Sequence, residues 1–438
     1  ALLDRHQIKY GSALDATAKG FDYKTGKMKT MKISGESLVV STDQPKGTLA
    51  TVLFEPNAKL SDSLTYDITA WSLPYAYGLD ALATTNLLGM GEWQKEMPLQ
   101  VALDSGAYAF LSGWSGMRDA QFLAALLQAG IRVRHTLKPF TIDGMEHAQG
   151  SLIITKADNK NRKDFLGTLA KIAKDHNIAL TPTSTGFVEG GKDFGSSSVK
   201  MVPDVKVAVL TGEPTSTLQF GEIWHFFEQQ LYYPITVIDS DDFDGVDLGE
   251  YEVLILPSGR GYDRFMEETR LASLKEWVNH GGKLVAMGGA IKGISGEAGF
   301  GLKVLKAEKD STAHFQSYEE SERDQIKSAI TGAIFKTRVD TTHPLAFGYG
   351  DTYFSLKLGA DAYDYLKEGT VVYLEEKQAS PVAGFAGSEA VKKIGKTLVF
   401  GVANHGEGSV IYMVDDPLFR GFWENGKLFF ANALFQVE

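Results

Sequence analysis

The sequence contains no cysteine. That absence removes disulfides, thiolate nucleophiles and cysteine-ligated zinc together, though it does not choose a compartment. No apolar run is long enough to cross a bilayer. The opening Ala1-Leu2-Leu3-Asp4-Arg5-His6 is followed by no apolar stretch of the kind a signal peptide needs. It also lacks a start methionine, so the chain reads as a processed product or an excised piece whose signal has been removed. Positive charge is in deficit as well. Lys and Arg number 44 against 55 Asp and Glu, a net charge of −11. This disfavours nucleic acid, whose binding is driven by cations that release counterions, and it disfavours an anionic membrane surface. No tandem repeat is evident.

What is present describes an ordinary globular protein: 43% hydrophobic and 23% charged residues over 438 positions, too many for one core and enough for two or three domains. Residues 1 to about 100 parse poorly. Leu38 to Val40 suggests a strand, Thr48 to Phe54 a short helix or strand, and Tyr66 to Leu73 a strand that Pro74 ends. From Tyr108 the rhythm sharpens. Strand patterns at 108–111, 131–137, 151–155 and 178–180 alternate with helical ones at 118–129 and 162–174, the first striped with Phe122, Leu123, Leu126 and Leu127 and followed by Gly130 as a C-cap. A Gly- and Ser-rich stretch at 186–199 separates this from a second series. That series has strands at 206–210, 235–238, 252–256 and 283–287, helices at 222–230 and 271–278, later strands at 371–374, 397–402 and 409–414, and a last helix at 425–435. Strand and helix alternating in this way predict βαβ crossovers. The expectation is therefore α/β: two three-layer α/β/α domains with mainly parallel sheets, over residues 1–200 and 201–438.

Several stretches carry a family resemblance. Tyr66-Asp67-Ile68-Thr69-Ala70-Trp71-Ser72-Leu73-Pro74 resembles a segment that lies downstream of the catalytic domain in large bacterial zinc carboxypeptidases. So does the ending Asp415-Asp416-Pro417-Leu418-Phe419-Arg420-Gly421-Phe422-Trp423 with Leu428 to Phe435. The runs Val207-Ala208-Val209-Leu210, Tyr251 to Gly259 and Trp277-Val278-Asn279-His280-Gly281-Gly282-Lys283-Leu284-Val285 resemble class I glutamine amidotransferase-like domains. The resemblance implies a flavodoxin-like second domain and a nucleophile elbow at Met287-Gly288-Gly289-Ala290. Gly289 then stands where the catalytic cysteine would be, with Glu222 as the acid facing it. Glycine offers no attacking group. The pocket it implies, vestigial and assigned no catalytic residue, comprises Glu222, Ser258, Gly259, Gly288, Gly289 and His405.

Other groups invite chemistry. His225-Phe226-Phe227-Glu228 spells the HxxE of zinc carboxypeptidases, with His343 a tempting third ligand. However, the stripe Phe220, Ile223, Phe227 and Leu231 turns His225 toward solvent. Asp239, Asp241, Asp242, Asp244 and Asp247 could attract calcium, but EF-type spacing fails at Ser240 and Tyr251. Asp415, Asp416, Arg420 and His405 suggest an Arg–carboxylate brace for the last helix. Trp71, Tyr75, Tyr77, Trp93 and Trp114 fit either a domain interface or a peptide or sugar groove. No metal set is therefore assigned to this chain. The zinc implied by the resemblance belongs to an upstream catalytic domain.

The function expected is that of a non-catalytic accessory region of a secreted or periplasmic zinc-carboxypeptidase-like protein, supporting folding, substrate positioning or assembly of an upstream peptidase domain. Two alternatives stand beside it: an independent peptide- or glycan-binding module, and a hydrolase with an unorthodox site near Glu222, Ser258 and His405.

Overall fold

A computed structural model describes residues 2–57, 68, 70–93, 103–296, 298–305, 325–377 and 379–438. The strand expected to open at Tyr66 lies largely outside them. Leu73–Ala76, at its expected end, is a short helix with Pro74 in its first turn, where proline costs no hydrogen bond. The N-terminal stretch is built from short antiparallel strands, chiefly the hairpin Ala16–Asp22 with Lys27–Ile33, followed by a helix at Gly47–Phe54.

The first sheet uses β1 (Ala109–Ser112), β2 (Arg134–Thr136), β3 (Leu152–Thr155), β4 (Thr181–Thr183) and β5 (Val199–Met201), with α1 (Met117–Gln128) after β1 and α2 (Phe165–Asp175) after β3. Its order is β4-β1-β3-β2-β5, and every pairing in it is antiparallel. Each helix therefore connects its strand not to a neighbour but to the next strand but one, with an antiparallel strand inserted between. This is the split βαβ arrangement. Phe110, Leu152 and Ile154 share one core with Phe122, Leu123, Leu126, Leu169 and Ala173 of the two helices. The opposite face (Ala109, Leu111 and Ile153) is covered instead by Phe140 and Ile142 of the hairpin Phe140–Ile142/Met145–His147 and by Phe194. A three-layer α/β/α domain with a mainly parallel sheet is thus not what forms.

The second sheet has nine strands: β6 (Val207–Thr211), β7 (Thr236–Asp239), β8 (Val253–Leu256), β9 (Lys283–Met287), β10 (Ala333–Val339), β11 (Thr352–Lys357), β12 (Thr370–Tyr373), β13 (Leu398–His405) and β14 (Gly408–Met413), in the order β7-β6-β8-β9-β14-β13-β12-β10-β11. The first five in that order pair in parallel; the remaining pairings are antiparallel. This sheet is mixed, and the expectation of a mainly parallel one fails here too. The reason is an insertion. Four antiparallel strands enter the chain between β9 and β14 and extend the sheet at one side.

Alternation along the buried parallel strands supplies both faces. Val207, Val209, Val253, Ile255 and Val285 pack toward α3 (Thr217–His225) and α5 (Glu424–Phe435). Ala208, Leu210, Leu254, Leu256 and Leu284 pack toward α4 (Glu268–Asn279). The helical layer of the first sheet meets α5. Trp114 Nε1 donates to Asn432 Oδ1 at 2.7 Å, and both groups are buried. Tyr75 packs edge-on against Tyr23 and tilted against Phe354 in the same core. Two of the five aromatics suggested for a groove are thus core residues.

Candidate functional site

The carboxyl ends of parallel strands are where open α/β sheets place their sites. Here β8 runs out into Pro257-Ser258-Gly259. Next to it, β9 turns sharply through Gly288 into the short helix Ile291–Ile294. Gly288 has φ +45°, the left-handed region that a side chain makes costly. By backbone conformation the strained elbow residue is therefore Gly288, one position before Gly289. Neither seat is open. A Cβ on Gly288 would stand 2.5 Å from Ser258 Oγ, and one on Gly289 would stand 2.0 Å from the backbone oxygen of Gly259. The Gly289 N–H donates to Ser258 Oγ at 2.9 Å, so this hydroxyl is an acceptor holding the turn together.

Ser258, Gly259, Gly288 and Gly289 thus meet at the carboxyl edge of the sheet, and Glu222 of α3 reaches the same edge through the Arg420 N–H. His405 does not join them. It ends β13, which runs antiparallel to β14, and it pairs with Gly408 at the start of β14, beyond the Lys283–Ser409 pair. Lys283 to Met287 alone spans about 13 Å at strand spacing. His405 therefore lies at the amino edge of the parallel strands, its ring packed edge-on against Phe300, and burial holds its pKa below the usual value. It cannot serve Ser258 as a base.

The polar centre of the carboxyl edge is a carboxyl pair. Glu222 on α3 and Asp416 after β14 share a hydrogen bond, and the Glu222 pKa is pushed up to about 10, first by burial and then by Asp416. Burial and the facing carboxyl thus favour one proton held between the two groups. Gln219 Nε2 spans both carboxyls at 3.2 and 3.0 Å. Glu222 Oε1 accepts the Arg420 backbone N–H at 2.9 Å, and Asp416 Oδ1 accepts that of Leu418 at 2.8 Å. Arg420 itself is left-handed, with φ 47°. Its guanidinium lies over the Phe419 ring and, among the described residues, makes no ion pair or hydrogen bond. The Arg–carboxylate brace suggested for Arg420 with Asp415 or Asp416 is absent among the described residues. Asp415 is bound instead by buried Lys357 at 2.7 Å and Ser355 at 2.6 Å.

A cleft of about 790 Å³ opens above this pair, between α3 and the Phe419–Gly421 turn. Its lining includes Glu222, His225, Arg420 and the apolar Leu218, Ile330 and Leu358. Ile330 and Leu358 flank the β10–β11 pair of the inserted strands. Nothing in the local sequence around them signals a site, and the sequence reading missed both. His225 is exposed, as expected. Its partner in the HxxE spelling, Glu228, accepts a hydrogen bond from Trp224 Nε1. Among the described residues no group of three or more His, Cys, Asp or Glu side chains could hold a metal. In the acidic loop, Arg270 pairs with Asp244 at 2.7 Å. No described helix is long and apolar enough to cross a membrane.

No family model matches the chain, and no curated protein matches it. Solved structures match about half of it. A GMP synthase subunit protein from Thermoplasma acidophilum is 13% identical, with a TM-score of 0.33 over 52% of this chain and 92% of that one. A glutamine amidotransferase from Thermotoga maritima is 10% identical, with a TM-score of 0.29 over 49% and 76%. A β-galactosidase from Bacillus circulans sp. alkalophilus is 15% identical, with a TM-score of 0.29 over 52% and 30%. These are likenesses to glutamine amidotransferase-like and glycosidase chains. At such identities and TM-scores they carry no argument about chemistry here.

Proposed function

We propose that this chain breaks no bonds itself and is the non-catalytic accessory region of a zinc-carboxypeptidase-like protein. In that role it supports the folding, substrate positioning or assembly of an upstream peptidase domain, in a secreted or periplasmic setting. The carrying observation is the elbow. The sharp strand-to-helix turn is retained, but its two residues are glycines. The hydroxyl nearest Gly288, on Ser258, accepts the Gly289 N–H, and His405 sits at the other edge of the sheet. A nucleophile needs a base within hydrogen-bond reach, and no such pair is assembled among the described residues here. The resemblance of the segments around Trp71 and Asp415 to zinc carboxypeptidases supports the identity of the parent.

The test is direct. The full chain, with and without added zinc, should release no ammonia from glutamine and no residue from the C-termini of standard peptides. Turnover that disappears in Ser258→Ala would overturn the reading. A second role, peptide or glycan binding, is favoured by one observation, the cleft over Glu222.

A further inference from the structure

We propose that the cleft between α3 and the Phe419–Gly421 turn binds a carboxylate carried on an apolar stem, with the Arg420 guanidinium as its cation. Three observations converge on this. Arg420 is an exposed cation at the cleft with no anionic partner among the described residues, and a guanidinium is shaped for a carboxylate. Its backbone is held left-handed, at φ 47°, by the N–H bond to Glu222. Backbone strain held in this way clusters at ligand sites. The neighbouring wall is apolar and open, with Leu218 76% and Leu358 44% exposed, a surface that an apolar stem would cover.

The local charges select a monoanion. Glu222 and Asp416 share a hydrogen bond that raises the Glu222 pKa, so the pair holds one proton and carries one negative charge rather than two. Asp416 is already bound by Gln219 and the Leu418 N–H. A single guanidinium in a cleft that Glu222 also lines therefore suits one negative charge better than the two of a phosphate monoester.

The inference rests on the non-catalytic reading only in expecting binding without turnover. The test is calorimetric titration of the full chain with two matched pairs: hexanoate against hexanamide, and Ala-Ala-Leu against its C-terminal amide. At least one carboxylate should bind saturably and about tenfold or more tighter than its amide, the effect of one charge-assisted hydrogen bond. Binding of the tripeptide alone identifies a peptide end as the source. Binding of hexanoate alone identifies a small free acid.

Arg420→Gly, which keeps the backbone N–H and tolerates positive φ, should lose the binding without a fall in melting temperature. Leu218→Asp, which places a negative charge on the exposed first turn of α3, should weaken it as well. The proposal is overturned if neither carboxylate binds up to about 10 mM, if the amides bind equally well, or if Arg420→Gly binds as the wild type does. If Arg420→Gly melts lower, Leu218→Asp decides, and unchanged affinity there overturns the proposal. Release of leucine from the bound tripeptide would refute the non-catalytic reading and leave the site standing.

Discussion

Replacing Gly289 by cysteine supplies the thiol whose absence defines the elbow, and the geometry of the turn sets the consequence. The new Cβ would lie 2.0 Å from the Gly259 oxygen, 3.1 Å from its carbonyl carbon and 3.2 Å from its nitrogen. A carbon–oxygen contact normally needs about 3.3 Å, so the two turns must part by more than 1 Å. Gly259 cannot yield cheaply. The Arg260 N–H donates to the Pro214 oxygen at 3.0 Å, and the Ser216 N–H donates to the Ser258 oxygen at 3.0 Å. Overpacking against fixed backbone costs about 1–3 kcal/mol, occasionally more. At a urea slope of about 3 kcal/mol per molar or more for a chain of this size, the unfolding midpoint should fall by roughly 0.3–1 M. Gly288→Cys meets a different obstacle. Its positive φ costs about 1–2 kcal/mol, and its nearest atoms are the Ser258 hydroxyl and Cβ at 2.5 and 3.0 Å, a side chain that yields more readily than backbone but only by giving up its bond from the Gly289 N–H. Gly289→Cys should therefore be the less stable of the two, and neither should release ammonia from glutamine. A Gly289→Cys protein with the wild-type midpoint would refute the closed elbow. One that hydrolyses glutamine would refute the whole assignment.

Three other perturbations concern buried groups. In the wild type, Glu222 keeps its proton up to about pH 10 when folded but loses it near its ordinary value when unfolded. The stability it contributes is thus complete below that ordinary value and declines as pH rises toward 10. Glu222→Gln cannot titrate, so its stability relative to wild type should grow from pH 5 to pH 9; a difference flat across that range would dissolve the carboxyl pair. Lys357→Met strands buried Asp415 with Ser355 as its remaining side-chain partner among the described residues. It should cost about 3–5 kcal/mol by denaturant titration, and a loss below about 1 kcal/mol would mean Asp415 is not held as a buried charge. Trp114→Phe removes the donor to Asn432 Oδ1. It should cost about 1–3 kcal/mol by the same measurement, with no loss if water reaches Asn432.

Much of the carboxyl edge was legible because its residues lie where local pattern is strongest. Val253–Leu256 and Lys283–Met287 are short apolar runs ending in Ser-Gly and Gly-Gly. A strand that ends in small residues announces a turn. Glu222 could be placed because α3 follows β6 directly. The cleft's other wall could not be read. Ile330 and Leu358 are 28 residues apart in sequence and approach α3 only because the Ala333–Lys357 register of β10 and β11 brings them to the same end of the sheet. The role of Arg420 was misjudged for a related reason. Buried Lys357, the partner Asp415 actually has, lies on an inserted strand whose position no local pattern reveals.

Strand direction explains both the misplaced histidine and the misread fold. Apolar periodicity reports that a strand is buried, not which way it runs, and β13 and β14 look like any buried pair. The connection is what decides. Parallel neighbours need a crossover of a dozen or more residues, whereas Gly406 and Glu407 alone join His405 to Gly408. Gly406 takes φ +57°, as a two-residue hairpin turn beginning with glycine requires. That turn alone makes β13 antiparallel to β14 and sends His405 to the edge opposite Ser258. In the first sheet the trap was subtler. A strand–helix–strand unit looks identical whether its helix returns to a neighbouring strand or to the next but one. Only β3, entering between β1 and β2, turns a nominally parallel unit into a wholly antiparallel sheet. Inserted strands have opposite consequences in the two halves. In the first, β3 closes the gap between β1 and β2 and makes the sheet's core. In the second, β10 and β11 bring Ile330 and Leu358 to the cleft, so its apolar lining is divided between the insertion and Leu218 of α3, while its charged groups come from α3 and the Phe419–Gly421 turn.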